Sequence, residues 1–152
     1  MKKLFVLLAD DDKDDRFFFD KALQCLSFPT DFKEVADGEE LIDWLLVNKD
    51  SLPDVLFLDI NMPRKNGVEC LVEIKKNPKF NSLPVVMYST SLMESVADSL
   101  YYCGATYYIQ KTDFTDLPLL LEKALKLIDK SGCKQPPRNE FILRTKKHDD
   151  YI

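Results

Sequence analysis

Apolar and polar positions alternate along this chain in blocks of two kinds. The first kind is a short run that is apolar at every position: Leu4-Phe5-Val6-Leu7-Leu8-Ala9, Val55-Leu56-Phe57-Leu58 and Val85-Val86-Met87-Tyr88. Runs without alternation suit strands buried on both faces, as in a parallel sheet. Phe32 to Ala36 and Thr106 to Ile109 are weaker runs of the same sort. The second kind carries apolar residues at helical spacing. Its stripes are Phe18, Phe19, Ala22, Leu23 and Leu26; then Leu41, Ile42, Leu45 and Leu46; then Val68, Leu71 and Val72. Leu92, Val96, Leu100 and Tyr101 form a fourth, and Leu117, Leu120, Leu121, Ala124, Leu125 and Ile128 a fifth and clearest. Pro29, Pro53, Pro63, Pro84 and Gly104 fall between the blocks, where a strand or helix has to stop.

Five strand–helix pairs in succession predict a parallel sheet with helices on both sides. The expected fold class is α/β: a flavodoxin-like, three-layer (βα)5 domain with sheet order 2-1-3-4-5. That domain is predicted over residues 1–130. Residues 131–152 contain Ser131-Gly132, Pro136-Pro137 and mixed charge, and read as a C-terminal extension. Within it, Glu140-Phe141-Ile142-Leu143-Arg144-Thr145 admits two readings: a disordered end, or an extra strand or arm docked on the domain.

Composition narrows the class. With 45% hydrophobic residues the chain is too apolar to be disordered, and four Cys are too few for a disulfide scaffold. Cys25, Cys70, Cys103 and Cys133 form no C-x-x-C pair, so zinc and dithiol motifs are absent and a reducing, cytoplasmic location is expected. The N-terminal apolar run stops at Ala9 against a wall of acids, which suits a strand and not a signal peptide. No run approaches the roughly 20 apolar residues of a membrane span. A net charge of −5 argues against nucleic acid as a partner. The charge is uneven: residues 10–15 read Asp-Asp-Asp-Lys-Asp-Asp, whereas 131–152 hold five Lys/Arg against three Asp/Glu.

In open α/β sheets, sites form beyond the C-terminal ends of the strands. Asp10 and Asp11 follow the first run, Asp59 the third, Ser89 and Thr90 the fourth, and Lys111 the fifth. Two carboxylates about 4 Å apart repel by roughly 1 kcal/mol in water and roughly 4 at an intermediate dielectric. A pocket of three acids therefore calls for a cation or protons. Carboxylate and water ligands suit Mg2+, which in turn attracts a phosphoryl group. Lys111 supplies a second positive charge, and the Ser89 hydroxyl can donate to a phosphoryl oxygen. Asp59 beside a metal is then a nucleophile toward phosphorus, giving an aspartyl-phosphate. Asp12, Asp14 and Asp15 read more simply, as acids that cap a helix and complement its dipole.

These residues resemble the receiver domain of two-component response regulators, over residues 3 to about 129. Val6-Leu7-Leu8-Ala9-Asp10-Asp11-Asp12 is similar to its first-strand motif, and Asp59-Ile60-Asn61-Met62-Pro63-Arg64-Lys65-Asn66-Gly67 to its phosphoacceptor motif, D-x-x-M-P-x-x-x-G. Pro84 to Ser89, and Gly104-Ala105 with Tyr108 and Lys111, are similar to its fourth- and fifth-strand motifs. The resemblance implies Asp59 as phosphoacceptor, with Mg2+ held by Asp10, Asp11, Asp59 and the Asn61 backbone carbonyl. It implies that Lys111 pairs with the phosphoryl oxygens, that Ser89 moves to bond the phosphoryl group, and that Tyr108 swings inward behind it. The resemblance further implies that Asn61 and Ser91 occupy positions that tune dephosphorylation in the family. The partners implied are a sensor histidine kinase or phosphotransfer protein and a downstream protein target. The protein would catalyse only its own phosphorylation and dephosphorylation.

One departure stands out: Lys111-Thr112 replaces the usual Lys-Pro with its cis bond. Without Pro, cis costs about 3–4 kcal/mol, so either a trans bond with a shifted loop or a strained cis bond is expected. About 22 residues after the domain fall short of the roughly 60 to 100 of a DNA-binding effector, so no output domain is expected. This and the acidic front are similar to the phytochrome-associated regulators. Homodimerisation through the helix 4, strand 5, helix 5 face or through the tail is left open. Three rivals remain. An Asp-nucleophile phosphatase would carry a second Asp as general acid where Asn61 stands. A flavodoxin would need a hydroxyl- and Gly-rich loop where the acids stand. A degenerate receiver would bind partners without phosphorylation.

Overall fold

The computed structural model describes residues 2–111 and 114–145. The continuous apolar runs become central strands because both of their faces are covered. In β1 (Leu4–Ala9), Val6, Leu7, Leu8 and Ala9 are all fully buried, as are Val55 to Leu58 in β3 (Val55–Asp59) and Val85 to Met87 in β4 (Val85–Ser89). β2 (Thr30–Val35) is mostly exposed, as befits an edge strand, and β5 (Tyr107–Gln110) completes the predicted five. All pairings are parallel, and the order is β2-β1-β3-β4-β5-β6. The predicted order 2-1-3-4-5 is thus present, with one strand added.

The connecting helices are α1 (Lys13–Gln24), α2 (Gly38–Val47), α3 (Gly67–Lys76), α4 (Glu94–Tyr102) and α5 (Leu117–Ser131). Alternate strand residues feed two cores. Leu7, Leu56 and Met87 pack with Leu41, Leu45, Leu71, Ile74, Ala97 and Leu100 of α2, α3 and α4. Val6, Leu8, Phe57 and Val86 pack with Phe19, Ala22, Leu121, Ala124 and Leu125 of α1 and α5. The helical stripes are correct at their centres and wrong at their margins. Phe18 and Leu46 are about half exposed, because each lies one residue off the buried line of Phe19–Ala22–Leu23 or Leu41–Leu45. Leu26 lies beyond the end of α1 and Leu92 before the start of α4.

Of the two readings of the tail, the structure takes the docked strand. A 3-10 turn (Arg138–Glu140) leads into β6 (Ile142–Leu143), which pairs in parallel with β5, Tyr108 facing Ile142 and Ile109 facing Leu143. Phe141 is fully buried against Tyr101 and Tyr108, with ring centroids 5.2 and 6.3 Å away. Arg138 clamps the turn to α4 through Asp98 at 2.7 Å and Glu94 at 2.8 Å. Gln135 donates to the carbonyls of Tyr101 and Ala105, and the Tyr101 hydroxyl to that of Pro136. Among the described residues, no helix is long and apolar enough to cross a membrane.

Candidate functional site

The strands end together, and the acids end with them. Asp10 follows β1 directly and is fully buried; Asp59 is the last residue of β3 and 4% exposed. Asp11 stands at the exposed rim. Carboxylate oxygens of Asp10, Asp11 and Asp59 lie within 4.8 Å of one another. Ser89 closes β4 and is buried, its hydroxyl 3.5 Å from that of Ser91. The backbone N–H of Lys111 donates to the Ser89 carbonyl at 2.6 Å, which fixes where the lysine leaves the sheet.

Two local devices hold the acids. The Asp12 N–H donates to Asp10 Oδ1 at 2.9 Å, and the Asn61 N–H to Asp59 Oδ1 at 3.3 Å. Behind Asp59, the chain turns back so closely that a Cβ on Gly67 would sit 2.1 Å from the Asp59 carbonyl oxygen. Asn66 then caps α3 reciprocally with Glu69. The glycine of the D-x-x-M-P-x-x-x-G motif is therefore required by backbone approach.

The Lys111 ammonium reaches across the mouth and is only 10% exposed. Its nitrogen lies 2.8 Å from Asp15 Oδ2, 2.9 Å from Asp10 Oδ2 and 3.4 Å from Asp59 Oδ2, and 5.1 Å from the Tyr88 ring centre. Burial alone would lower its pKa, but the contacts with Asp15 and Asp10 and the charge of Asp59 outweigh burial and raise it. Desolvation pushes the Asp59 carboxyl up to about 7, with the Asp10 charge adding to the rise and Lys111 opposing it. Asp10 is also raised, again chiefly by burial, against the Asp12 N–H and Lys111.

This donor set fits a hard divalent cation. Asp10 Oδ2 is buried yet makes no hydrogen bond, even with the ammonium 2.9 Å away. That ammonium is shared with Asp15 and Asp59, so several carboxylates draw on one positive charge, and a second cation at this oxygen would offset the deficit. Carboxylate oxygens from three residues around one point are what such an ion binds.

Asp10, Asp11, Asp59, Ser89 and Lys111, singled out in the sequence, stand at the strand ends around this mouth. Asn61 and Ser91 flank it, both exposed. Tyr108 lies inward, 1% exposed, its hydroxyl donating to the Ser91 carbonyl. Of the helix-opening acids, Asp12 does cap α1, accepting from the N–H groups of Asp14 and Asp15. Asp15 does more than the capping expected of it, because its carboxylate holds Lys111. Tyr88 under the ammonium was also missed; its apolar neighbours read only as strand. The Lys111–Thr112 bond cannot be placed in either expected form, since Thr112 lies outside the described residues.

The chain matches the response regulator receiver domain over residues 6–122. It is 29% identical over 111 residues to the response regulator Rcp1 of Synechocystis sp., covering 70% of this chain and 76% of that one. Its fold matches the phosphorylated cyanobacterial phytochrome response regulator RcpA with a TM-score of 0.76 at 29% identity, over 89% of this chain and 99% of that one. It matches the Mn2+-bound form of Rcp1 with a TM-score of 0.72 at 26% identity, over 88% and 99%. Receivers phosphorylate and dephosphorylate themselves instead of turning over a substrate. With its acidic cluster and bridging lysine at the ends of four parallel strands, the chain belongs to the response regulator receiver domains and is a phosphoacceptor of a two-component phosphorelay.

Proposed function

We propose that Asp59 accepts the phosphoryl group. The observation that carries this is its position: a nearly buried carboxylate at the open end of β3, with the Lys111 ammonium 3.4 Å away and the carboxylates of Asp10 and Asp11 beside it. Asp10, Asp11, Asp59 and the Asn61 carbonyl would hold Mg2+, which supplies charge neutralisation for the phosphoryl oxygens when bound. An Asp59 oxygen attacks phosphorus, and the bond from phosphorus to the donor's imidazole nitrogen breaks, its electron pair going to that nitrogen. The Lys111 ammonium and the Ser89 hydroxyl donate to phosphoryl oxygens. Water later attacks phosphorus and returns the Asp59 carboxylate, with Asn61 and Ser91 flanking its approach.

The donor is a histidine kinase or phosphotransfer protein, and the kinship with phytochrome response regulators favours a phytochrome-type sensor. Four free cysteines suit a cytoplasmic setting. We assign residues 1–130 to the receiver and 131–152 to an extension whose first part contributes to the output face. In this chain that face is α4 and the tail strand, because β6 covers the edge of β5. A second copy docking there would meet β6 and Arg138, not a bare β5 edge.

Phosphoramidate with Mg2+, followed by intact mass, tests the reading. One phosphoryl adduct is expected in the parent and none in Asp59→Asn. An unchanged parent mass would point to the degenerate receiver.

A further inference from the structure

Lys111 has three N–H donors, and the structure offers them three carboxylates. Two belong to the acid cluster expected from the sequence. The third, Asp15, comes from the first turn of α1, and its oxygen is nearest to the ammonium, at 2.8 Å against 3.4 Å for Asp59. The contact is a directed hydrogen bond spanning 96 residues of sequence. Asp15 is pinned for it: α1 starts at the Asp12 cap, whose side chain accepts the Asp15 N–H at 3.1 Å. Arg16, next along, anchors the same turn by donating to the Asp10 carbonyl at 2.7 Å.

We propose that Asp15 is a positioning residue that draws the Lys111 ammonium toward α1 and away from Asp59, and so restrains phosphorylation. The proposal rests on Asp59 being the phosphoacceptor. An incoming phosphoryl group needs a donor from Lys111. While Asp15 holds the ammonium, that donor has to be taken from an existing ion pair. Asp15 lies outside the three-acid group suited to a cation, so its effect runs through Lys111. Removing its charge lets the ammonium settle on Asp59 and on the phosphoryl oxygens.

The test measures the rate of adduct formation from phosphoramidate at saturating Mg2+, by intact mass, in the full chain. Asp15→Asn is expected to react about threefold to fivefold faster, the size of one partly exposed ion pair. Asp15→Glu, which keeps a carboxylate within reach, should stay within about 1.5-fold of the parent, because the ion pair survives. Asp14→Asn removes the same charge from the neighbouring exposed position, which is not among the Lys111 partners, and should also stay near the parent rate. An unchanged or slower Asp15→Asn overturns the role of Asp15. Equal acceleration in Asp14→Asn and Asp15→Asn overturns it too, since bulk charge would then suffice. A parent chain that forms no adduct would remove the phosphoacceptor reading and this one together.

Discussion

At the scale of single residues, the site is a store of unfavourable electrostatics. Asp59 has a folded pKa of about 7, against 3.8 for an ordinary Asp. Between those values the folded chain holds a proton that the unfolded chain has released. Stability of the cation-free protein therefore falls as pH rises through that window. Lys111 acts with the same sign but in a different range: its raised pKa gives stability that is present below 10.5 and is lost only at higher pH, so it is constant across the window. Asp59→Asn removes the penalty. In chelator, urea unfolding should show Asp59→Asn gaining on the parent as pH rises from about 5 to about 7.5, reaching about 1 to 3 kcal/mol. Millimolar Mg2+ should close that gap by stabilising the parent alone, through binding to the folded state. A gap that does not change with pH would mean that the Asp59 charge is already neutralised.

At the scale of elements, the loop from β3 to α3 matters most, because it carries the acceptor. It leaves Asp59, returns so that the Gly67 N–H donates to the Ile60 carbonyl at 2.8 Å, and enters α3 through the Asn66–Glu69 capping box. Arg64 in this loop takes the left-handed conformation, with φ 69°, and lies 3.7 Å from both Asp37 and Glu39. Adding one methyl group at Gly67 drives a Cβ into the Asp59 backbone, which is not a flexible side-chain end that can swing away. Gly67→Ala is therefore expected to cost about 2 to 4 kcal/mol in urea unfolding and to slow adduct formation at Asp59. An alanine variant with parent stability and rate would show that the loop has slack the structure does not indicate.

At the scale of the whole molecule, the tail is part of the core. Phe141 fills the space beside Tyr101 and Tyr108, so the Tyr108 ring rests on a residue from outside the five-strand repeat. Leu143 joins the opposite core, under α5. The six residues from Arg138 to Leu143 thus touch both layers. Phe141→Ala should cost about 3 to 5 kcal/mol in urea unfolding, the usual loss for a buried Phe. A loss below about 1 kcal/mol would mean the strand is docked only loosely.

The sheet order, the two helical layers and the mouth with Asp10, Asp11, Asp59, Ser89 and Lys111 were legible in the sequence. Burial and the mouth follow from local pattern, since continuous apolar runs demand burial on both faces and a polar residue at the end of such a run has the strand-end mouth to occupy; the sheet order follows from the fold class that five strand–helix pairs imply. Asp15 was not legible, because an acid in a first helical turn already has a sufficient local reason to be there. Its contact with Lys111 crosses 96 positions and depends on how α1 packs against the sheet and α5. The tail was legible only as an alternative. Two strand residues and one Phe are too short a pattern to favour a strand over a loose end, and what decides is the open edge of β5 with Tyr101 and Tyr108 beside it. Local sequence thus determined which residues are buried and which stand at the strand ends. Tertiary structure alone decided the Asp15–Lys111 pair and the docking of the tail on β5, because those depend on shape and unpaired backbone that no local window contains.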